Sequence, residues 1–188
     1  AASVALGYHA HTNARQGSFV FADRSSADSV RASVNHQATF RTSGGFRIFT
    51  NNTLTAGVTL SAGGSSWTVV SDRNRKENFL AVDGEYLLSR LRTVPVTTWN
   101  YIAEGQQVRH IGPMAQDWDR AFGFSGDPLT INTGDFDGVN LAAAQALERR
   151  TAEQQARIEA LERENAALKA RLDRVEALMA RGAKPVKP

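Results

Sequence analysis

Residues 147–179 read LERRTAEQQARIEALERENAALKARLDRVEALM. With Thr151, Ile158, Asn165, Leu172 and Met179 at heptad position a, position d holds Leu147, Gln154, Leu161, Leu168 and Val175. Beyond its first heptad this seam is apolar except at Asn165, the pattern by which helices bury a stripe against one another. In a parallel, in-register coil each g residue faces the e residue five positions on in its neighbour. Here those pairs are Arg157–Glu162, Glu164–Lys169 and Arg171–Glu176, opposite in sign each time. The expectation is a parallel coiled coil over 141–181, ~60 Å long at 1.5 Å per residue. Ile158, Leu161, Leu168 and Leu172 fill its seam, and Asn165 fixes its register at some cost in stability. The mixed a and d residues leave two or three strands open. A single amphipathic helix folded back on the rest of the chain is the alternative. Gly182 and the Lys/Pro stretch after it end the helix in a flexible tail over 182–188.

Upstream of the coil, residues 71–140 alternate between helical and extended grammar. Tyr86–Leu91 reads as a short helix and Val94–Ile102 as a strand with Pro95 near its start. His110–Pro113 reads as a second strand. Met114–Phe122 reads as a helix closed by Gly123, with Gly126, Asp127 and Pro128 forming a loop after it. The result is a small α+β unit, with Phe79, Trp99, Trp118 and Phe122 as its expected core. Residues 1–70 differ again. Short apolar pieces (Ser18–Phe21, Ala38–Arg41, Gly45–Thr50, Val58–Leu60) sit in a Ser/Thr/Asn/Gly/Ala background, which predicts short strands and turns. Such a segment buries little by itself, and pairing with copies of itself would remedy that.

Composition limits the function classes. The chain has 188 residues and no cysteine, so disulfides, thiolate zinc sites and cysteine nucleophiles are excluded. Its net charge of +3 comes from mixed acidic and basic residues, not the footprint of a nucleic-acid binder. No run approaches the ~20 apolar residues of a membrane span. The opening AASVALG lacks the charged and long apolar regions of a signal peptide, and a chain starting within a repeat-like pattern reads as part of something longer. His9, His11, His36 and His110 show no metal-ligand spacing; His9 and His11 alternate on one face of a possible strand. Asp127-Pro128 and Asp135–Gly138 lack calcium-loop spacing, and no nucleotide fingerprint is present, so no metal or cofactor is expected.

One constellation carries chemistry. Ser71 stands five residues before Lys76, directly after the strand-like Trp67–Val70. A serine can attack an amide when a neutral lysine takes its proton. By spacing alone the pair is weak, and a solvated turn with Ser71 capping a helix is the simpler reading. For a lysine with a free value of ~10.4, losing the proton near pH 7 corresponds to ~4 kcal/mol, supplied by desolvation or nearby positive charge.

Four ordered blocks strengthen the reading. They are Ser71–Phe79 (SDRNRKENF), Pro95–Tyr101 (PVTTWNY), Arg109–Asp117 (RHIGPMAQD) and Asp137–Leu147 (DGVNLAAAQAL), the last running into the coil. Over residues 71 to about 180 the chain resembles the endosialidase-type intramolecular chaperone, peptidase family S74. Ser3–Gly7 with Ala10 is similar to a trimeric-adhesin head repeat, and Arg41–Phe46 to stalk segments that precede this domain in fibres. The resemblance implies a C-terminal domain of homotrimeric β-rich phage tail spikes, tail fibres or bacterial surface proteins. That domain aligns three chains and then cuts itself off before its serine. Carried over, Val70–Ser71 is the scissile bond, Ser71 the nucleophile and Lys76 the base. Asp72 either forms the turn or orients the pair, and His110 either lines the site or packs, the latter favoured. Arg75 departs from the family, where an apolar residue is commoner. A strained bond at Val70 would assist cleavage.

The expected architecture is therefore α+β: a β-rich trimeric stalk at 1–70, a chaperone unit at 71–140, and a parallel homotrimeric coiled coil at 141–181. The implied partners are two further copies of the chain and the upstream β-fibre. The implied location is a bacterial surface, the extracellular space or a virion tail. A non-cleaving adhesive tip is the alternative. A membrane-tethered or DNA-binding regulator released by this domain would need a segment these residues lack.

Overall fold

A computed structural model describes residues 2–124 and 126–182. The expected tail at 182–188 lies outside them except for Gly182. The chain is mixed α+β and divides into two compact units, Ala1–Phe79 and Leu80–Pro188.

The first unit is built from strands β1 (Val4–Gly7), β2 (Ala10–His11), β3 (Phe19–Ala22), β4 (Val30–Arg31), β5 (Ala38–Arg41), β6 (Phe46–Phe49), β7 (Gly57–Leu60) and β8 (Trp67–Val69). The expected strands are present, but the first five do not form hairpins. β1, β3 and β5 stack in parallel, with Ala5 beside Val20 and Val20 beside Thr39, while β4 stacks on β2. The chain therefore winds through two short faces and returns each time in the same direction. Val20, Ala22, Ala32 and Ser18 are buried within this coil. Gly7 is required where turns stack closely. Its φ is +101°, and a Cβ there would lie 2.0 Å from the Ala22 carbonyl oxygen. His9 and His11 do not alternate along one strand as expected, because His9 occupies a turn at φ 55°.

Strands β6, β7 and β8 then form an antiparallel meander. Phe19, Phe40, Phe46 and Trp67 form a ladder of ring contacts at 5.5, 5.3 and 6.1 Å that links it to the parallel stack. Val4, Leu6, Phe19, Phe40 and Trp67 are all exposed.

An acidic side chain locks the coil's end. Asp23 accepts hydrogen bonds from the Ser25 hydroxyl at 2.6 Å, the Ser43 hydroxyl at 2.7 Å and the Ser43 amide at 2.5 Å. Arg41 donates to its carboxylate at 3.1 Å and to the carbonyls of Tyr8, Asp23, Ser26 and Asp28. The Ser25 hydroxyl, then the Ser43 hydroxyl and amide, hold the Asp23 carboxyl well below the usual carboxylate range. Its contribution to stability is therefore present above the ordinary value of 3.8 and is lost as pH falls from there toward the depressed folded value. Thermal unfolding should show Asp23→Asn melting below the unsubstituted chain at pH 7, with the gap narrowing at progressively more acid pH. A gap that widens in acid contradicts this assignment.

The second unit holds helix α1 (Gly84–Leu91), strands β9 (Thr97–Trp99) and β10 (His110–Gly112), helix α2 (Ala115–Phe122) and helix α3 (Thr133–Gly182). Asp83 caps α1 by accepting from the Glu85 and Tyr86 amides. Gly123, left-handed at φ 63°, closes α2. Asn132 Oδ1 accepts from the Gly134 amide at 2.8 Å and starts α3 at Thr133, ahead of the heptads. That early start has a structural reason. Val139, Ala143 and Ala146 of α3 are buried with Leu87, Leu88, Val94, Trp118 and Ala121, so the first turns of the long helix are part of the globular core. Gly84 permits the closest approach, since a Cβ there would lie 2.7 Å from Ala146 Cβ. Arg150 pairs with Glu85 beside it.

Of the four expected core aromatics, Trp118 is 1% exposed and Phe122 packs against it. Trp99 instead joins Tyr101 and His110 beside the core. Phe79 is 60% exposed and is no core residue. From Thr151 to Arg181, α3 is exposed throughout except for half-buried Ala160, and Ile158, Leu161, Leu168, Leu172 and Val175 face outward uncovered. Over that length it does not fold back on the core of its own unit. No helix among the described residues is long and apolar enough to cross a membrane.

Candidate functional site

The segment after β8 is short and polar, so its shape comes from local hydrogen bonds. Asp72 accepts from the Asn74 amide at 2.9 Å and from the Asn74 side chain at 3.1 Å. This caps a single 3₁₀ turn, Arg73–Arg75, closed by the Lys76 amide donating to the Arg73 carbonyl at 3.1 Å. Arg75 lies 3.8 Å from the other Asp72 oxygen. Asp72 thus forms the turn.

The turn reverses the chain enough to bring the two ends of the SDRNRK stretch together. Lys76 Nζ donates to Ser71 Oγ at 2.7 Å. This is the separation general acid–base chemistry requires. A charged amine at this distance donates to a hydroxyl, whereas a neutral amine accepts the hydroxyl's proton. Both side chains are exposed. Val70 is 45% exposed and follows the last residue of β8, so the Val70–Ser71 peptide sits just past the end of the sheet. Neither residue has a left-handed backbone, and the peptide is trans.

The left-handed residue lies further on, at Asn78, with φ 56°. Asn tolerates that region better than most residues. Immediately after it, the Phe79 ring lies under the Arg73 guanidinium, 5.2 Å from carbon to centroid. Sequence reasoning assigned Asn78 no role and placed Phe79 in the core. The signal available was Asn78 itself, since Asn is the residue type that tolerates a left-handed turn.

His110 belongs to the other unit. Its Nε2 lies 2.9 Å from Glu104 Oε2, and its ring sits 4.7 Å from Trp99 and 5.6 Å from Tyr101. The His110 contact, then the Tyr101 amide, keep the Glu104 carboxyl below its ordinary value. Within its own unit His110 thus joins a carboxylate and two aromatic rings. Among the described residues no three His, Asp or Glu side chains gather as a metal site.

A serine and a lysine in hydrogen-bond contact directly after a strand end is the arrangement that the SD-x-x-x-K-x-N block leads one to expect. Residues 71–126 match the family described as peptidase S74, chaperone of endosialidase. They are an S74 segment. The match begins at Ser71 itself and takes in the first three sequence blocks. The Asp137–Leu147 block and the heptads lie beyond it. No curated protein matches the chain. The family's description joins peptidase to chaperone.

Proposed function

We propose that this chain is an intramolecular chaperone that aligns three copies of a β-rich fibre or surface protein and then releases itself by cutting Val70–Ser71. The observation that carries the reading is the 2.7 Å contact between Lys76 Nζ and Ser71 Oγ at the first residue of the S74 match. Ser71 Oγ attacks the Val70 carbonyl carbon while its proton passes to neutral Lys76. The carbon–nitrogen bond then breaks, and the Ser71 nitrogen takes a proton back. The product is an ester between Val70 and the Ser71 oxygen. Water hydrolyses that ester, leaving a Val70 carboxylate and a free Ser71 amine.

Assembly has physical support on two surfaces. The α3 seam leaves Ile158, Leu161, Leu168 and Leu172 uncovered, and the first unit leaves Val4, Leu6, Phe19 and Phe40 uncovered. Contiguous apolar surface of this kind marks association. Three identical chains in register cover both. Registering a parallel β-stack is slow because its contacts are non-local, and a coil that fixes register raises the effective concentration of the strands. Closure of the trimer around Lys76 excludes water and favours the neutral amine, so cutting follows assembly. Removal of the aid then gives the fibre kinetic stability. The setting is a bacterial surface, a secreted fibre or a virion tail.

The exposure of Ser71 and Lys76 in the single chain favours a second reading, a trimerising tip that never cuts and stays attached. The mass of freshly purified chain decides between them. Fragments of residues 1–70 and 71–188 support self-release; a persistent 20.4 kDa chain supports the attached tip.

A further inference from the structure

The lysine of the pair lies at the middle of a closed loop. Lys76 is three residues after Arg73 and three before Phe79, and those two residues meet as guanidinium over ring at 5.2 Å. The chain is turned at one side of Lys76 by the 3₁₀ hydrogen bond from its own amide to the Arg73 carbonyl, and at the other by the left-handed backbone of Asn78. Arg75, the other arginine of the loop, faces Asp72 instead. The apolar ring is 60% exposed, so burial in the core does not explain its placement.

We propose that Phe79 and Arg73 are positioning residues: their stack fastens the two ends of the 73–79 loop and so holds the Lys76 amine on the Ser71 hydroxyl. This rests on the Ser71–Lys76 reading above and adds to it a device that fixes the lysine. A lysine carries four rotatable bonds and pays considerable rotamer entropy when held in one place. On an exposed loop, no packed core fixes its backbone. A cation over a ring is a compact way to close such a loop, because it works at the surface and keeps the guanidinium solvated at its edges. Asn78 supplies the bend that lets the ring return over Arg73, at a position where β-branched residues are strained.

The test follows the appearance of the 71–188 fragment over time in freshly synthesised full chain, with oligomer size measured in parallel. Phe79→Ala should slow cutting about tenfold or more, because ångström-scale misplacement of a reacting group costs up to ~100-fold. Phe79→Trp, which keeps a ring for Arg73, should recover the rate to within about threefold, and Arg73→Lys should outperform Arg73→Ala. Glu77→Ala, within the loop but outside the stack, should cut at the unsubstituted rate. A Phe79→Ala chain that assembles and cuts at full speed overturns the proposal, as does Phe79→Trp being as slow as Phe79→Ala with the oligomer intact.

A second measurement is independent of cleavage. NMR relaxation of the Lys76 side chain should show it more ordered in the unsubstituted and Phe79→Trp chains than in Phe79→Ala, with the Arg73 methylenes losing their ring-current shift in the last. Equal Lys76 order in all three overturns the positioning role. If Lys76 order follows the ring while no chain cuts, the self-release reading fails and the loop device stands. If Ser71→Ala and Lys76→Ala abolish cutting but Phe79→Ala is neutral, the device fails and the self-release reading stands.

Discussion

Freshly synthesised chain carrying Ser71→Ala or Lys76→Ala is expected to remain whole, while the unsubstituted chain separates into residues 1–70 and 71–188. The expected effect is at least ~10³-fold on the rate, since members of a nucleophile–base pair act as a unit and losing either forfeits most of the catalysis. The reasoning starts from 2.7 Å between Lys76 Nζ and Ser71 Oγ. Without the hydroxyl no nucleophile lies beside the Val70 carbonyl, and without the amine the hydroxyl keeps its proton. Lys76→Arg sharpens the test. It preserves positive charge and hydrogen-bond donors but cannot deprotonate in a protein, so it should be as inactive as alanine if the lysine is a base. Intact-mass measurement reads all three. A Lys76→Arg chain that cuts normally would show that charge alone, and not proton transfer, is what the lysine supplies.

The second large effect concerns assembly. Leu161→Glu with Leu168→Glu places two carboxylates on consecutive d positions, where a parallel coil has no room to solvate them. The double variant is expected to run as a single-copy species by sedimentation, with unchanged secondary structure in the globular part, whose core contains neither residue. Cutting should slow at least about tenfold and should rise with protein concentration. In the single chain, the pair at 71 and 76 is open to water. Closure by neighbouring copies is what removes that water in the proposed sequence of events. A stable single-copy chain cutting at the full rate would break the link between assembly and cleavage, leaving cleavage itself intact. Asn165 provides a complementary variant. Asn165→Val should raise the melting temperature of the coil and loosen its register, because the polar a residue trades stability for alignment.

Different elements were legible to different degrees, for identifiable reasons. The helices α1 and α2 and the exposed length of α3 were legible from local periodicity, heptads and Gly123, whereas the caps at Asp83 and Asn132 and the start of α3 at Thr133 were not read from the sequence. The strands of residues 1–70 were legible as strands but not in their direction. Parallel stacking of β1, β3 and β5 pairs residues 15 to 19 positions apart, such as Val4 with Phe19 and Phe19 with Ala38, and no local signal carries that information. Trp118 was readable as core. Phe79 was misread because apolar character alone does not separate a core ring from one held by a guanidinium. Asp72 had two sequence readings, and its hydrogen bonds to Asn74 show that it caps the turn.

The sequence by itself determined the long helix, the charge pattern along its flanks and the identity of the S74 segment. Periodicity, charge spacing and motif order are properties of neighbours along the chain. Only the tertiary structure decided that the strands return in parallel, that α3 begins inside the globular core, and that the lysine reaches the serine across a capped turn. Those outcomes depend on which distant or oppositely facing groups meet in space, and free energy of packing and hydrogen bonding, not spacing, selects among the arrangements.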